Sequence, residues 1–359
     1  MRERILLMAR YLGQRAEGFL PLTLPLLLII GVLSQQWRLF PLIVFVVIPL
    51  LDRLIDSRNS NAGQQSVQVP SITTSYSTVL YTYVALHFSL MSLGLIQSQS
   101  LAWLDLFWLS LSVGLVSGAI GITVAHELGH RHSKGNRFLA GLLLTSVSYL
   151  HFLVEHNRGH HRRVATPADP ATARLGETLY QFLPRTLFGS LVSAWDLECR
   201  RLKARKLPVL SRKNLVIWAV VLPPVVVFAL LITLGPKAAA FFVIQSAIAI
   251  LLLETVNYIE HYGLLRRQNS NGTYERVGPA HAWSSDRKVA NLFLFNLLQH
   301  AHHHMDAGRV YQELDGVKGS PQLPAGYAEL ILTAWFPPLW RRRIHPRLPI
   351  QQKTPAFEI

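Results

Sequence analysis

The sequence predicts an all-α, polytopic membrane protein with about six transmembrane helices. Half of its 359 residues are hydrophobic, only 15% are charged, and its mean hydropathy is +0.27. Soluble domains usually carry about a quarter of charged residues. The net charge is +15, but the basic residues fall in blocks between long apolar runs, as in membrane proteins. This composition excludes a disordered chain, and we expect no nucleic-acid partner because the positive charge forms no uniform coat.

Six apolar runs are candidate transmembrane helices. A span requires about 20 apolar residues, which the last four runs satisfy, whereas the first two are shorter and contain prolines. The first two are therefore expected to form a tight helical hairpin. The six runs lie near residues 19–33, 39–51, 76–96, 101–125, 214–234 and 238–258.

The basic residues also indicate how the chain is oriented. The short loops on one side carry only Arg38 and Lys237, while the other basic residues lie on the opposite side. The positive-inside rule places that opposite side in the cytoplasm, together with both termini and the segments 126–213 and 259–359. We expect one membrane-embedded domain over residues 1–359, with membrane lipid around it.

A seventh apolar run, residues 138–154, is not counted as a span. It lies between two histidine motifs that should share one membrane face if they share one site, and a single crossing would separate them. We therefore expect a re-entrant or interfacial helix there. Residues 178–206 mix apolar and basic side chains, which predicts an amphipathic helix near the headgroups.

Fifteen histidines are unusual in so apolar a chain, and most of them fall in four clusters. All four clusters lie at predicted cytoplasmic ends of spans or in cytoplasmic segments. Histidines four residues apart lie on one helix face and can reach one metal. A run such as residues 300–304 has no packing rationale, so these clusters predict a metal centre. They are HELGH at 126–130, HNRGHH at 156–161, His261, and HAHHH at 300–304.

The first cluster also matches the zinc-protease pattern His-Glu-x-x-His, with Glu127 as the general base. A catalytic zinc takes three protein ligands, whereas nine or ten histidines here suit two metals of higher coordination number. Imidazole binds zinc, copper, iron and nickel, so the ligand type does not select the metal. A membrane zinc metalloprotease therefore remains an alternative, which counting the metals per chain would test.

At these motifs the sequence resembles the integral-membrane, histidine-rich di-iron superfamily of fatty acid desaturases and hydroxylases. Within it, the sequence is most similar to the alkane 1-monooxygenase (alkane omega-hydroxylase) family. The segment NYIEHYG discriminates best, because desaturases lack it. The segments that carry the resemblance are HELGH at 126–130, EHNRGHH at 155–161, ATPADPATARLGE at 165–177, NYIEHYGLLR at 257–266 and LFNLLQHAHHH at 294–304.

This resemblance implies O2-dependent terminal hydroxylation of medium- or long-chain n-alkanes to primary alcohols at a non-haem di-iron centre. One oxygen atom enters the alcohol and the other leaves as water. The alternatives within the superfamily are a membrane fatty acid desaturase, whose product gains no oxygen, and a xylene-type methyl hydroxylase. The implied ligands of the two irons are His126, His130, His156, His160, His161, His261, His300, His303 and His304.

Other residues are expected to support these ligands. His302 stands where the family has an aspartate, and we expect it not to bind iron. Ligating histidines usually have their second ring nitrogen held by a carboxylate or carbonyl. Glu127, Glu155, Asp169 and Glu260 are the predicted orienting residues. Because neighbours on a helix point about 100° apart, each glutamate should serve a histidine other than the one beside it.

Electrons are expected to come from separate chains. The sequence has no flavin or dinucleotide fingerprint, and its single cysteine, Cys199, cannot form a rubredoxin centre. The resemblance implies rubredoxin and rubredoxin reductase as partners, in the bacterial inner membrane with the active site facing the cytoplasm. Rubredoxins are small and acidic, so Arg158, Arg162 and Arg163, which adjoin implied ligands, are the predicted docking residues.

The resemblance also implies a position that limits the length of the substrate. In the family, a bulky aromatic residue on the second span can plug the far end of the substrate channel, eight residues before the aspartate of Pro-Leu-Leu-Asp. Here that motif ends at Asp52, which puts Val44 at the plug position. Valine leaves open the volume that tryptophan would fill, so we expect the channel to accept long alkanes.

Overall fold

The computed structural model describes residues 17–59 and 73–350. Over these ranges the chain is α-helical and has no β-strand, only two isolated bridges, which confirms the predicted all-α class. The cytoplasmic location expected for the termini concerns residues 1–16 and 351–359, which lie outside the described residues.

Sixteen helices make up the described part of the chain, together with π and 3-10 turns. The helices are α1 (Thr23–Leu33), α2 (Phe40–Leu42), α3 (Ile48–Asn59), α4 (Thr73–Ser98), α5 (Trp103–Val116), α6 (Ile122–Gly129), α7 (Lys134–Ser146), α8 (Phe152–Glu155), α9 (His161–Arg163), α10 (Leu179–Ala204), α11 (Leu215–Thr233), α12 (Pro236–His261), α13 (Lys288–Phe293), α14 (His300–Met305), α15 (Tyr327–Ala334) and α16 (Pro337–Ile344). The π turns are Ile43–Val47, Ser117–Gly121 and His156–His160.

Four helices within residues 17–59 and 73–350 are long and apolar enough to cross a bilayer, and they match the last four predicted runs. The first run forms a shorter apolar helix, Leu20–Leu33, and the second is helical from Phe40 to Asn59 with the π turn Ile43–Val47 inside it, but neither is among the four. The count of six spans therefore remains a prediction. The four long helices are Tyr76–Ser98, Trp103–Gly129, Leu215–Thr233 and Pro236–His261.

The apolar run at 138–154 does not form one continuous helix. Helix α7 has 13 residues, fewer than the roughly 20 that a crossing needs, and Ser148 beyond it adopts a positive φ of 59°. The end of α7 is held by two spans: Nε2 of His87 lies 2.8 Å from Oγ of Ser146, and the Gln245 amide donates to the Ser146 carbonyl. These bonds satisfy polar groups within the bundle and fix the turn that leads into the second histidine motif.

The predicted amphipathic helix is α10. It begins with a capping box, in which the Thr178 side chain accepts from the Gln181 amide and the Gln181 side chain accepts from the Thr178 amide. Its buried positions recur every three or four residues, as expected of a helix with one face against the protein. They are Leu179, Phe182, Leu183, Thr186, Ser190, Ser193, Ala194, Glu198 and Leu202.

Two glycines set the packing of the long helix Trp103–Gly129 against α12. A Cβ atom on Gly114 would lie 2.8 Å from the Gln245 carbonyl oxygen, and one on Gly118 would lie 2.9 Å from Cα of Ala249. Small residues spaced four apart allow helix backbones to approach closely in membranes. Both contacts advance in the same direction along the chain, so the two helices run parallel. The same register brings their C-terminal ends, which carry HELGH and His261, to one level.

Candidate metal centre

The histidine motifs occupy the ends of helices that meet at one place. His126 and His130 lie at the end of α6, and His261 is the last residue of α12. The second motif forms the π turn His156–His160 followed by His161, and the fourth motif begins α14. The parallel register of the spans thus places HELGH and His261 at one level. The segments that follow α7 and α13 bring the second and fourth motifs to the same place.

The nine predicted ligands converge in two groups. Within each group, one ligand atom of every histidine lies within 4.8 Å of those of all the others. His302 belongs to neither group: its Nδ1 accepts a hydrogen bond from the Asp315 backbone amide at 3.0 Å. The first group is His126, His130, His156, His161 and His303, and the second is His160, His261, His300 and His304.

The geometry of the ring nitrogens fits bound cations. Nε2 of His126 lies 2.9 Å from Nε2 of His303, and the Nε2 atoms of His300 and His304 are also 2.9 Å apart. Nε2 of His160 is buried without a hydrogen-bond partner among the described residues. Buried polar atoms are rarely left unpaired, and neutral imidazole nitrogens are good ligands of transition metals. The two groups therefore have the donor atoms and the spacing to hold metal ions.

Burial favours the neutral form of His130, His303 and His304. Desolvation, assisted by Arg131 and His160, lowers the pKa of His130 to about 4. Desolvation likewise holds the pKa of His303 and His304 well below the ordinary value. Histidine binds metal in its neutral form, so the site is ready for metal at neutral pH.

Asp169 holds one of the ligands from outside the group. Its Oδ2 lies 2.9 Å from Nδ1 of His160 and accepts a hydrogen bond from the Thr172 hydroxyl at 2.6 Å. Burial alone would raise the pKa of Asp169, but His160 and these hydrogen bonds bring it below its usual value. The resulting carboxylate fixes the ring of His160 with Nε2 directed at the second group.

Glu260 contacts a different histidine from its sequence neighbour His261. Its Oε2 lies 3.2 Å from Nε2 of His300, and its Oε1 accepts a hydrogen bond from the Tyr327 hydroxyl at 2.5 Å. Because Nε2 is the atom that His300 directs into its group, Glu260 presents an oxygen on the metal side of that ring. No sequence motif pointed to Tyr327, which comes near Glu260 only through the packing of α15 on α12.

The structure pairs Glu127 and Glu155 with arginine rather than with histidine. Glu127 forms an ion pair with Arg131 and accepts hydrogen bonds from the Tyr76 hydroxyl and the Tyr311 amide. Glu155 accepts from Arg163 at 2.7 Å. A buried carboxylate is stabilised best by a cation and several donors. Glu127 is thus held in a structural cluster, which does not suit the general base of a zinc protease.

The three predicted docking arginines differ in their surroundings. Arg158 donates to the buried carboxylate of Glu198 at 2.6 Å, and Arg163 is engaged by Glu155. Arg162 is exposed. Two of the nine grouped histidines, His130 and His161, are only half-buried, whereas the other seven are buried. The centre therefore comes nearest to solvent on the side of these two rings.

An apolar cavity of about 80 Å³ adjoins the histidine groups. Val44 lies in its wall, and among the described wall residues only Thr123 and Tyr327 have a side-chain oxygen. Thr123 and Leu297 each precede a grouped histidine by three residues. The wall consists of Leu24, Phe40, Val44, Ile48, Leu115, Val116, Gly118, Ala119, Ile120, Thr123, Leu252, Leu253, Val256, Ala290, Phe293, Leu294, Leu297, Tyr327, Ala328 and Ile331.

Comparison with known proteins agrees with this site. The fatty acid desaturase family matches residues 101–334. Alkane 1-monooxygenase 2 of Pseudomonas aeruginosa is 43% identical over 312 residues, which cover 85% of this chain and 82% of that protein. The chain belongs to the alkane 1-monooxygenase family. The alkane 1-monooxygenase of Pseudomonas putida is 39% identical over 304 residues, 84% of this chain and 75% of that protein.

Membership of the alkane 1-monooxygenase family makes the chain an integral membrane oxidoreductase, consistent with the four long apolar helices in the described part of the chain. A more distant relative is the hydroxylase component of xylene/toluene monooxygenase from Pseudomonas putida. It is 28% identical over 238 residues, which cover 64% of this chain and 61% of that protein.

Replacing Asp169 by asparagine should weaken metal binding. The substitution keeps the shape of the side chain but removes the charge that holds Nδ1 of His160, and such changes typically cost about 10- to 100-fold in metal affinity. The measurement is metal retained per chain during dialysis against increasing chelator. Asp196→Asn, on the exposed face of α10, is the control. Equal retention by both variants and the wild type would show that Asp169 does not support the centre.

Proposed function

We propose that this protein is an O2-dependent alkane 1-monooxygenase that converts medium- and long-chain n-alkanes to primary alcohols with two iron ions. The observation that carries the proposal is the position of nine convergent histidines beside an apolar cavity, in a chain whose relatives are alkane 1-monooxygenases. Bound iron would supply the activation of dioxygen that lets one oxygen atom enter a terminal C–H bond while the other leaves as water.

The residues of this chain would divide the work between holding metal and holding substrate. The five- and four-histidine groups would each hold one iron, with Asp169 fixing His160 and His302 remaining outside. The cavity wall would bind an alkane by burying its methylene groups, each worth about 0.8 kcal/mol, and would exclude water from the reacting end. An alkane dissolves in the bilayer and would enter the cavity between the helices.

We further propose the bacterial inner membrane as the location, with the metal centre and both termini on the cytoplasmic side. The support is the distribution of basic residues, which lie almost entirely on the side of the histidine motifs. The same side would then meet soluble redox partners.

Electrons would come from rubredoxin and a rubredoxin reductase, both as separate chains. The half-buried rings of His130 and His161 offer the shortest approach to the metals from solvent. Arg162 is exposed next to His161 and is the most available of the three predicted docking residues, because Arg158 and Arg163 already pair with buried carboxylates. An acidic donor would be attracted to this edge by charge.

A xylene-type methyl hydroxylase is the second candidate, favoured by the similarity to the xylene/toluene monooxygenase component. A desaturase is the third, since the matching family is that of fatty acid desaturases. Product analysis separates the three: a primary alcohol from octane or hexadecane supports the proposal, a benzylic alcohol from xylene supports the second, and a double bond without added oxygen supports the third.

The metal assignment predicts two irons per chain and a graded response to histidine substitution. His261→Ala should lower both the iron content and the turnover to near background, because it removes one of four ligands in its group. His302→Ala should retain most of both, because His302 lies outside the groups. Metal analysis and octane turnover of the two purified variants are the measurements. Full iron and full turnover in His261→Ala would contradict the nine-ligand assignment.

The cavity predicts that Val44→Trp shifts the preference toward shorter alkanes. Tryptophan would fill part of the cavity that Val44 borders, and overfilling a packed site is costly, typically about 1–3 kcal/mol. When octane and hexadecane compete, the rate of octanol formation by Val44→Trp should stay near that of the wild type. The rate of hexadecanol formation should fall about tenfold or more. Leu332→Trp, on an exposed surface outside the cavity wall, is the control. An unchanged product ratio in Val44→Trp would remove Val44 from the channel.

Docking by charge predicts that Arg162→Glu weakens turnover with rubredoxin, whereas Arg162→Lys retains it. Raising the salt concentration should have a similar effect, because screening shortens to about 8 Å at physiological ionic strength. Both comparisons are made with rubredoxin and with a small chemical reductant. Equal losses with the two electron sources would mean that the substitution harms the enzyme itself and would exclude electrostatic docking at Arg162.

A further inference from the structure

Tyr327 lies where the apolar cavity meets the four-histidine group. Its ring is part of the cavity wall, and its hydroxyl donates to Oε1 of Glu260 at 2.5 Å. The residue is 1% exposed, so neither its ring nor its hydroxyl faces bulk water. Among the described cavity-wall residues, Tyr327 is the one whose side chain donates to a carboxylate beside the histidine groups.

The backbone before Tyr327 is fixed by tight packing. A Cβ atom on Gly326 would lie 3.0 Å from Oδ2 of Asp52 and 3.0 Å from Cβ of Ala290. Oδ1 of Asp52 accepts hydrogen bonds from the amides of Val289 and Ala290 at 2.8 and 3.1 Å. The end of the second predicted span, the start of α13 and the start of α15 are therefore joined at one buried aspartate. This junction leaves α15 little freedom to move away from α12.

The hydrogen bond continues from Tyr327 to the histidines. Glu260 is 2% exposed, with Oε1 bonded to Tyr327 and Oε2 3.2 Å from Nε2 of His300. A buried carboxylate without a donor on one oxygen would tend to rotate toward another partner. The tyrosine hydroxyl removes that freedom, so the orientation of Oε2 toward His300 depends on Tyr327.

We propose that Tyr327 is a positioning residue, whose hydroxyl holds the Glu260 carboxylate at the four-histidine group while its ring closes the cavity beside that group. This inference rests on the proposed function for the identity of the substrate, but the positioning of Glu260 concerns the metal groups alone. It assigns to α15 a role at the metal centre although this helix contributes none of the nine histidines.

The test is a Co²⁺ titration of the full-length, metal-depleted protein, followed by the visible absorption bands of bound cobalt. Wild type should bind two equivalents. In Tyr327→Phe, one equivalent should bind about tenfold more weakly, the lower end of the effect of losing a residue that supports a ligand, and the bands of that equivalent should shift. Tyr258→Phe is the matched control, because Tyr258 is also 1% exposed and its hydroxyl donates only to the Glu177 backbone carbonyl. The control should titrate like wild type.

Glu260→Gln extends the test and does not depend on the folding of Tyr327→Phe. Glu260→Gln should weaken the same equivalent, and Tyr327→Phe added to it should cause little further loss, because the hydroxyl would act through Glu260. Wild-type binding of both equivalents by Tyr327→Phe or by Glu260→Gln would overturn the proposal. So would fully additive losses in the double variant, or an equal loss in Tyr258→Phe.

Alkane turnover of the wild type is measured in parallel. If the wild type oxidises no alkane, the proposed function fails, while the cobalt titration still decides whether Tyr327 positions Glu260. Normal alkane turnover with unaltered cobalt binding in the variants would instead reject the positioning role and leave the function standing.

Discussion

Nine imidazoles that turn their nitrogens toward each other in two groups are the constraint on which the rest of the structure depends. Nε2 of His126 and Nε2 of His303 lie 2.9 Å apart, so their lone pairs repel each other unless a proton or a cation lies between them. The surrounding fold must therefore hold the rings in place before metal binds. It does so with groups outside the two clusters, such as Asp169 behind His160. Preorganisation of this kind reduces the ordering cost that would otherwise oppose metal binding.

Helix register provides the coarse alignment. Gly114 and Gly118 let the HELGH helix lie directly against α12, and the parallel contact brings the two helix ends to one level. The segments without long helices are held in place by buried hydrogen bonds. Ser146 is tied to two spans, and the buried Asp52 joins three segments of the cavity wall. These hydrogen bonds lie inside the bundle, where water does not compete for the donors and acceptors.

Helix α12 separates polar from apolar surroundings beneath the metal centre. Its residues Leu252, Leu253 and Val256 border the cavity. On another face, Glu254 accepts hydrogen bonds from the hydroxyls of Tyr149 and Thr186 at 2.6 and 2.8 Å. One helix can carry both because its side chains repeat every 3.6 residues. This division keeps the cavity free of charged groups while satisfying the buried carboxylate, which suits a hydrocarbon substrate.

The sequence by itself indicated the helical membrane class, the four long apolar helices and the four histidine clusters, because apolar length and clustered histidines are local properties that packing does not alter. The choice of nine histidines among these clusters came from the family resemblance. Helical periodicity also explains in part how the nine histidines divide between the two groups. His126 and His130, like His300 and His304, are four residues apart and share a group, whereas the adjacent His303 and His304 separate. The second motif was decided only by the tertiary structure. In a regular α-helix His156 would pair with His160, four residues on, but the π turn His156–His160 pairs it with His161, five residues on, and sends His160 to the other group. The contacts of Asp52, Glu127 and Tyr327 likewise join segments far apart in the chain, and no local pattern in the sequence encodes such distances.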